Sequence, residues 1–231
     1  MIIPAFDEAG AIGKVIDGIP GWVDCIIVAD NASRDGTAEV AEAHGAHVVH
    51  EPQPGYGAAC LRGIEAASGH DIIVFMDGDY SDRGSEMHLL VDPIATGQVD
   101  MVIGSRTLGT AEAGSLTPQQ RWGNWLACSL IRLFWGAKYT DLGPYRAISS
   151  DSLRTMDMQD RAFGWTVEMQ LKAILHGVRW REVPVSYFNR IGVSKISGTV
   201  HGTILAGHAI IGTILRTALS SRHEKSRSDV G

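Results

Sequence analysis

The chain has 231 residues, of which 45% are hydrophobic and 20% charged, enough to bury the core of one large domain or two small ones. Its net charge of −6 provides no broad basic field, so nucleic acid is not an expected partner. Cys25, Cys60 and Cys128 lie far apart without zinc-site spacing, which indicates a reducing, cytoplasmic compartment.

The two ends of the sequence carry different patterns. Met1 to Pro4 lacks the basic region of a signal peptide. The apolar stretch from Thr203 to Ser220 contains His208 and Arg216, whereas a spanning helix needs roughly 20 mostly apolar residues. We therefore expect a terminal helix that packs on the protein or lies on a surface. Arg222 to Gly231 is polar and predicts a disordered tail.

Short apolar runs alternate with helical patterns in residues 1–110. The runs that predict strands are Met1–Pro4, Cys25–Ala29, His47–His50, Ile72–Met76 and Met101–Ile103. The helical patterns between them are Ala11–Gly18, Thr37–His44, Ala58–Ala67 and Glu86–Thr96. This order predicts an α/β fold in a single domain, with a mostly parallel sheet flanked by helices on both faces. Ligands bind such sheets at the carboxyl ends of the strands.

The fourth strand ends in the most informative segment, Ile72–Asp82, which reads IIVFMDGDYSD. Asp77 and Asp79 would point the same way from a strand end, and Gly78 would let a substrate approach the backbone. Two such carboxylates suit Mg²⁺ or Mn²⁺, which could then hold a diphosphate. The alternative is that the acids only cap a turn. Asp82 is either a supporting acid or an exposed turn residue.

Other strand ends carry polar residues as well. Asp30, directly after the second strand, could accept a hydrogen bond from a nucleobase or ribose, and Gly104–Arg106 follows the fifth strand. Pro54–Gly57 precedes a helix, whose amino terminus would attract phosphate. Because this segment is neither a full G-x-G-x-x-G motif nor a P-loop, a tight loop is the favoured interpretation.

The second half of the chain has mainly helical sequence patterns. Thr117 and Pro118 predict an N-cap and the first residue of a helix. An apolar stripe follows at helical spacing and predicts a core-facing surface; it consists of Trp122, Trp125, Leu126, Ser129, Leu130 and Leu133. Thr140–Arg146 is rich in turn residues, Phe163–His176 predicts a helix and Val178–Pro184 a strand.

Four charged residues in this half are candidates for chemistry. Arg190 and Lys195 could close over a diphosphate or could form a solvated pair. Glu168 is either a catalytic or acceptor-binding acid or the i,i+4 partner of Lys172. Asp141 is the other candidate acid.

The motifs taken in order resemble family 2 glycosyltransferases with the GT-A fold, and in particular the branch that transfers mannose or glucose to dolichol or polyprenyl phosphate. The resemblance runs from Ile2 to about Thr217 through the segments IIPAFDEAGAIGKVI, VADNASRDGT, MDGDY, GSR and VPVSYFNRIGVSKIS. Three places differ from the usual pattern. Asp7 replaces a common Asn, Ser81 replaces a Gln that serves as a third metal contact, and DLGPYR replaces an SGFR-type segment.

The resemblance implies a nucleoside diphosphate sugar donor, a Mg²⁺ or Mn²⁺ cofactor and a set of site residues. Those implied for the nucleotide are Pro4, Ala5, Phe6, Glu8 and Asp30. Asp77 and Asp79 would meet the metal and the donor diphosphate beside Gly78, and Asp79 is also a catalytic candidate. The cations implied for the donor are Arg106, Arg190 and Lys195. Glu168 would lie at the sugar or acceptor.

We therefore predict metal-dependent sugar transfer, with inversion as the resemblance implies. A lipid-phosphate acceptor would need no strong base, whereas a hydroxyl acceptor would need Glu168 or Asp141. The alternatives are a nucleotidyltransferase and a non-catalytic nucleotide-sugar-binding subunit of a membrane complex.

The expected domain is residues 1–221, with a donor half (1–110) and an acceptor half (111–221), followed by the tail 222–231. The sequence leaves open whether the protein contacts the cytoplasmic face of a membrane and whether it forms a homo-oligomer.

Overall fold

A computed structural model describes residues 1–192 and 207–220. In this part of the chain seven strands form one sheet in the order β3-β2-β1-β4-β6-β5-β7. The strands are β1 (Ile2–Ala5), β2 (Ile27–Asp30), β3 (His47–His50), β4 (Ile72–Phe75), β5 (Met101–Ala111), β6 (Arg146–Ser149) and β7 (Trp180–Tyr187). β6 runs antiparallel to β4 and β5, and the other neighbouring pairs are parallel. The predicted α/β fold with a mostly parallel sheet is confirmed.

The helices cover the sheet at the predicted places. They are α1 (Ile12–Asp17), α2 (Thr37–Ala43), α3 (Tyr56–Ala66), α4 (Met87–Ala95), α5 (Pro118–Trp135), α6 (Ser150–Met156) and α7 (Trp165–Leu175), with a 3₁₀ turn at Gly84–Glu86 and a helical segment over 207–220. β6 and α6 were not predicted, and β5 is longer than the predicted Met101–Ile103. Its pairing with β7 shifts register between Ser105 and Thr110.

Alternate residues of the strands pack into two hydrophobic cores, one on each face of the sheet. Ile2 and Ile27 belong to one core, whereas Ile3 and Val28 belong to the other. Side chains of successive strand residues point to opposite faces, and both faces are covered here. The strands therefore read as continuous apolar runs rather than as alternating ones.

Helix α5 begins as the sequence predicts. The Thr117 side chain accepts a hydrogen bond from the Gln120 amide, and the Gln120 side chain accepts one from the Thr117 amide. This reciprocal cap satisfies two amides that the helix leaves without partners. Pro118 occupies the first turn, where its missing amide hydrogen costs nothing.

The predicted core-facing stripe of α5 is wrong for Trp122, Trp125 and Leu133, whereas Leu130 packs against one of the two cores. Trp122 and Trp125 are each 62% exposed and Leu133 is 73% exposed, whereas Ala127 and Ile131 on the opposite side are fully buried. The prediction failed because α5 has apolar residues on both sides, and the sheet covers only one of them.

The carboxyl-terminal part of the described chain packs against the domain. Ile214 and Ala218 in the 207–220 helix are buried, so the prediction of a packed helix holds for these residues. The predicted disordered tail, 222–231, lies outside the described residues. Among the described residues, no helix combines the length and apolar character needed to cross a membrane.

Candidate active site

A cavity of about 590 Å³ opens at the carboxyl ends of β1, β2 and β4. Its size suits a drug-sized or nucleotide-sized ligand. The predicted site residues that line it are Pro4, Ala5, Phe6, Glu8, Asp77, Gly78, Asp79 and Arg190. Asp30, Arg106, Asp141 and Glu168 do not line it, and Lys195 lies outside the described residues.

Two loops that frame the cavity are joined by hydrogen bonds from main-chain amides to side-chain oxygens. The Asp7 amide donates to Ser33 Oγ at 2.9 Å, and the Glu8 amide donates to Thr37 Oγ1 at 2.8 Å. In return, the Arg34 amide donates to Asp7 Oδ1 at 2.8 Å. An asparagine oxygen could accept the same bond, so the departure at Asp7 leaves this frame intact.

The residues at the end of β2 divide their roles. Asp30 is buried, accepts a bond from the Ser33 amide and contacts His50 Nδ1 at 3.2 Å. Asn31 lines the cavity and donates to the carbonyls of Glu51 and Gln53, while its oxygen accepts from the Gly55 amide. Asn31 therefore fixes the loop that precedes α3. The sequence placed it at a strand end but gave it no role.

The glycines at the start of α3 allow close packing. A Cβ at Gly57 would lie 2.0 Å from the Asp160 carbonyl oxygen. The first amides of α3 are already occupied, because Gly57 donates to the Ala162 carbonyl and Ala58 to the Arg161 carbonyl. The tight-loop interpretation of Pro54–Gly57 is confirmed, and these amides are not free to bind phosphate.

Asp77 and Asp79 lie together at the end of β4, as the sequence predicts. Tyr56, which the sequence did not single out, donates its hydroxyl to Asp77 Oδ1 at 3.1 Å. Asp79 Oδ1 accepts from the Ser81 amide and hydroxyl at 2.9 and 2.5 Å, and its Oδ2 pairs with Arg190. Burial, and next the charge of Asp79, raise the pKa of Asp77 to about 6.

Asp82 is a third acid at this site. It is buried, and neither carboxylate oxygen has a hydrogen-bond partner within the described residues. Burial, followed by the charges of Asp77 and Asp79, raises the pKa of Asp82 well above its ordinary value. The alternative of an exposed turn residue is wrong.

This concentration of negative charge, with Asp79 and Asp82 buried and Asp77 half-buried, fits a hard divalent cation. The carboxylate oxygens are suitable ligands, and a cation would relieve the repulsion that raises both pKa values. No set of three or more His, Cys, Asp or Glu side chains converges on one metal position within the described residues. Mg²⁺ is commonly bound by one or two carboxylates together with substrate phosphates and water.

Arg106 and Asp141 form a bidentate pair away from the cavity. Arg106 donates through its amide, Nε and Nη2 to the two Asp141 oxygens at 2.7–2.8 Å. Glu182 accepts from the amides of Thr140 and Asp141, which holds the loop in place. The Asp141 carboxylate is therefore buried and fully engaged, an arrangement that suits positioning better than proton abstraction.

Glu168 is engaged in a similar way. Its carboxylate accepts from the amides of Gln159 and Asp160 and pairs with Lys172 at 3.0 Å. The predicted i,i+4 pairing is confirmed. Glu168 thereby fixes residues 159 and 160, and the adjoining residues 161 and 162 bind the start of α3, which lines the cavity. Glu168 therefore stabilises one side of the cavity without lining it.

Arg190 is partly buried and ion-paired, so the solvated interpretation does not apply to it. The Ile191 amide donates to the Asp79 carbonyl, and the Phe188 amide donates to the Ser81 carbonyl. Residues 188–191 thus run along the turn that carries Asp77, Asp79 and Asp82. This brings the Arg190 guanidinium to the edge of the cavity.

The fold and the cavity define the class: an α/β protein whose ligand site lies at the carboxyl ends of parallel strands, beside a cluster of acids. The family model described as Glycosyl transferase family 2 matches residues 1–155. The chain therefore belongs to glycosyl transferase family 2, and it is a glycosyltransferase rather than a nucleotidyltransferase. The resemblance seen in the motifs is confirmed.

Relatives and solved structures agree with this membership. The chain is 29% identical over 247 residues to the undecaprenyl-phosphate mannosyltransferase of Micrococcus luteus, covering 100% of this chain and 98% of the relative. It is 34% identical over 208 residues to a glycosyltransferase of Mycobacterium bovis, covering 89% and 93%.

Glucosyl-3-phosphoglycerate synthase from Mycobacterium tuberculosis, solved with Mn²⁺, UDP and glucosyl-3-phosphoglycerate, shares the fold. The TM-score is 0.76 at 24% identity, and the match covers 94% of this chain and 78% of that one.

Proposed function

We propose that the protein transfers a sugar from a nucleoside diphosphate sugar to a polyprenyl phosphate, with a divalent cation and with inversion at the anomeric carbon. The observation that carries this proposal is the cluster of Asp77, Asp79 and Asp82 beside a cavity of nucleotide size. The Micrococcus luteus relative is named for a lipid-phosphate acceptor, and the mycobacterial synthase was solved with Mn²⁺ and UDP.

The metal and the diphosphate each have defined binding residues in this proposal. Asp77 and Asp79 would hold Mg²⁺ or Mn²⁺, and Tyr56 fixes the Asp77 carboxylate through its hydroxyl. The cation supplies charge that stabilises a departing diphosphate. Arg190 would turn from Asp79 to the diphosphate, adding a second positive charge. A Cβ at Gly78 would make only ordinary contacts, so packing alone does not require glycine there.

The surroundings of the two acids that the sequence offered as bases support this choice of acceptor. Glu168 and Asp141 are both bonded to neighbours, and neither lines the cavity. An acceptor that is already anionic needs no strong base, and a lipid phosphate meets that condition. Such an acceptor also brings the protein to the cytoplasmic face of a membrane.

The test is a transfer assay with purified protein, a panel of nucleoside diphosphate sugars, and Mn²⁺, Mg²⁺ or chelator. Polyprenyl phosphate and 3-phosphoglycerate serve as parallel acceptors. We expect metal-dependent release of nucleoside diphosphate with polyprenyl phosphate, an inverted anomer by NMR, and loss of transfer in Asp79→Asn. Transfer only to phosphoglycerate would refute the lipid acceptor. No turnover of any donor would favour the non-catalytic subunit.

A further inference from the structure

Helix α5 presents an apolar stripe to the surface, directly opposite its buried side. Trp122 and Trp125 are 62% exposed and Leu133 is 73% exposed, while Ile131 on the other side has no exposure. At 3.6 residues per turn these three side chains share one side of the helix. A large apolar stripe of this kind marks an interaction surface rather than a random exposed residue.

The charged residues of helix α5 have one sign. Helix α5 contains Arg121 and Arg132 but no acidic residue, although the whole chain carries a net charge of −6. The two arginines lie about three turns apart on the side of Trp125. Neither has an ion-pair partner in residues 1–192 and 207–220. The surface is therefore complementary to a partner that is anionic as well as apolar.

The same side of α5 borders a second cavity, of about 640 Å³. Trp125, Arg121 and Arg132 line it together with Arg106 and Asp141. The exposed stripe thus adjoins the cavity that contains the Arg106–Asp141 pair.

We propose that this α5 face, consisting of Trp122, Trp125, Leu133, Arg121 and Arg132, docks on an anionic lipid bilayer. Tryptophan is favoured at the boundary between head groups and acyl chains. A helix with an apolar face and neighbouring cations lies in the plane of that boundary. The surface is argued from exposure and charge, and only its role in transfer rests on the proposed lipid-phosphate acceptor.

Vesicle binding tests the surface without donor or acceptor. The full chain is sedimented with vesicles of phosphatidylcholine, with and without phosphatidylglycerol. We expect binding that requires phosphatidylglycerol and weakens about tenfold or more in the double variant Trp122→Ser/Trp125→Ser. In Arg121→Gln/Arg132→Gln we expect a loss of about fivefold for each charge.

Trp22→Ser is the matched control, because Trp22 is 52% exposed and lies before β2, away from α5. Its vesicle binding is expected to equal that of the wild type, and unchanged melting temperatures show that the variants fold. The proposal would be overturned if the wild-type protein did not bind anionic vesicles. It would also be overturned if the double tryptophan variant bound them like the wild type. A dimer that the tryptophan variant converts to monomer would also overturn it, by assigning the face to a second copy.

Transfer to detergent-dispersed polyprenyl phosphate separates this inference from the proposed function. Transfer without vesicle binding refutes the docking surface and leaves the reaction standing. Vesicle binding that depends on the two tryptophans, without transfer to any acceptor, supports the surface and refutes the reaction.

Discussion

At the scale of single residues, Asp77 connects the chemistry of the site to the stability of the protein. Its pKa is about 6 in the folded chain, raised by burial and by Asp79, against about 3.9 for an ordinary aspartate. A raised folded-state pKa means that the folded state binds the proton more tightly than the unfolded state. The resulting stability is complete below about pH 4 and is lost as pH rises through about 6.

Asp77→Asn is therefore expected to stabilise the metal-free protein at pH 7.5, by about 3 kcal/mol, and to have little effect near pH 4. Asn keeps the oxygen that accepts from Tyr56, so the hydrogen bond survives. Thermal unfolding at both pH values, in chelator, measures the difference. Asp151→Asn on α6 is the control, because that carboxylate is exposed. An equal gain in stability at both pH values would contradict a raised pKa of Asp77.

Tyr56 is expected to act on the cation through Asp77. Tyr56→Phe removes the hydroxyl that orients the carboxylate, and loss of such support weakens metal binding by about 10–100-fold. The Mn²⁺ concentration for half-maximal transfer should rise by about tenfold, while the rate at saturating Mn²⁺ stays close to that of the wild type. A lower rate with an unchanged Mn²⁺ requirement would instead indicate direct contact of Tyr56 with the substrate.

At the scale of secondary-structure elements, the start of α3 and the loop 160–162 behave as one unit. Gly57→Ala would place a Cβ 2.0 Å from the Asp160 carbonyl oxygen, and we expect it to destabilise the protein by about 1–3 kcal/mol. Gly123→Ala in α5 is the matched control, since a Cβ there meets no atom within 4 Å. It should stabilise by about 0.5–1 kcal/mol. Denaturant unfolding of both variants measures the difference in their stability. Similar changes in the two variants would show that the Asp160 carbonyl does not exclude a side chain at residue 57.

Glu168 supports the same unit from α7. Glu168→Gln leaves only one acceptor oxygen for the amides of Gln159 and Asp160 and removes the charge that pairs with Lys172. We expect the KM for the donor to rise several-fold while kcat on a lipid phosphate is largely retained. Steady-state kinetics with the donor varied provides the measurement. A collapse of kcat with an unchanged KM would restore Glu168 as a catalytic base.

Some elements could be read from the sequence, and others depend on tertiary contacts. The strand–helix alternation and the Thr117 cap are local patterns, and the structure confirms them. β6 begins at the end of the turn-rich segment Thr140–Arg146 and becomes a strand because β4 and β5 flank it on both sides. The orientation of α5 could not be predicted, since apolar residues on both sides give no preference.

At the scale of the whole molecule, the position of the site was predictable because parallel strands end at one edge of the sheet. Asp77 and Asp79 were found for that reason. The partners of Asp141 and Glu168 were not predictable in the same way. Arg106 lies 35 residues from Asp141, and the amides bound by Glu168 belong to an irregular loop. Sequence spacing does not specify such contacts.

The proposed metal and donor should stabilise the molecule as a whole. The cavity joins β1, β2 and β4 to Arg190, so a ligand there links parts distant in sequence. Mn²⁺ with nucleoside diphosphate should raise the melting temperature of the wild type, because ligands that bind only the folded state stabilise it. Asp79→Asn should lose this shift, whereas Asp151→Asn should keep it. A full shift in Asp79→Asn would remove Asp79 from the metal site.

The hydrogen bonds between the first two loops have a consequence for how donor choice can change. Within residues 1–192 and 207–220, the three bonds that join Asp7 and Glu8 to residues 33–37 use backbone amides and short polar side chains, and none of these three uses Phe6 or the Arg34 guanidinium. Those two side chains line the cavity without holding its frame. A library randomised at Phe6 and Arg34 alone can therefore alter the preferred nucleotide while the scaffold keeps its shape, which makes this pair the natural starting point for redesigning the donor.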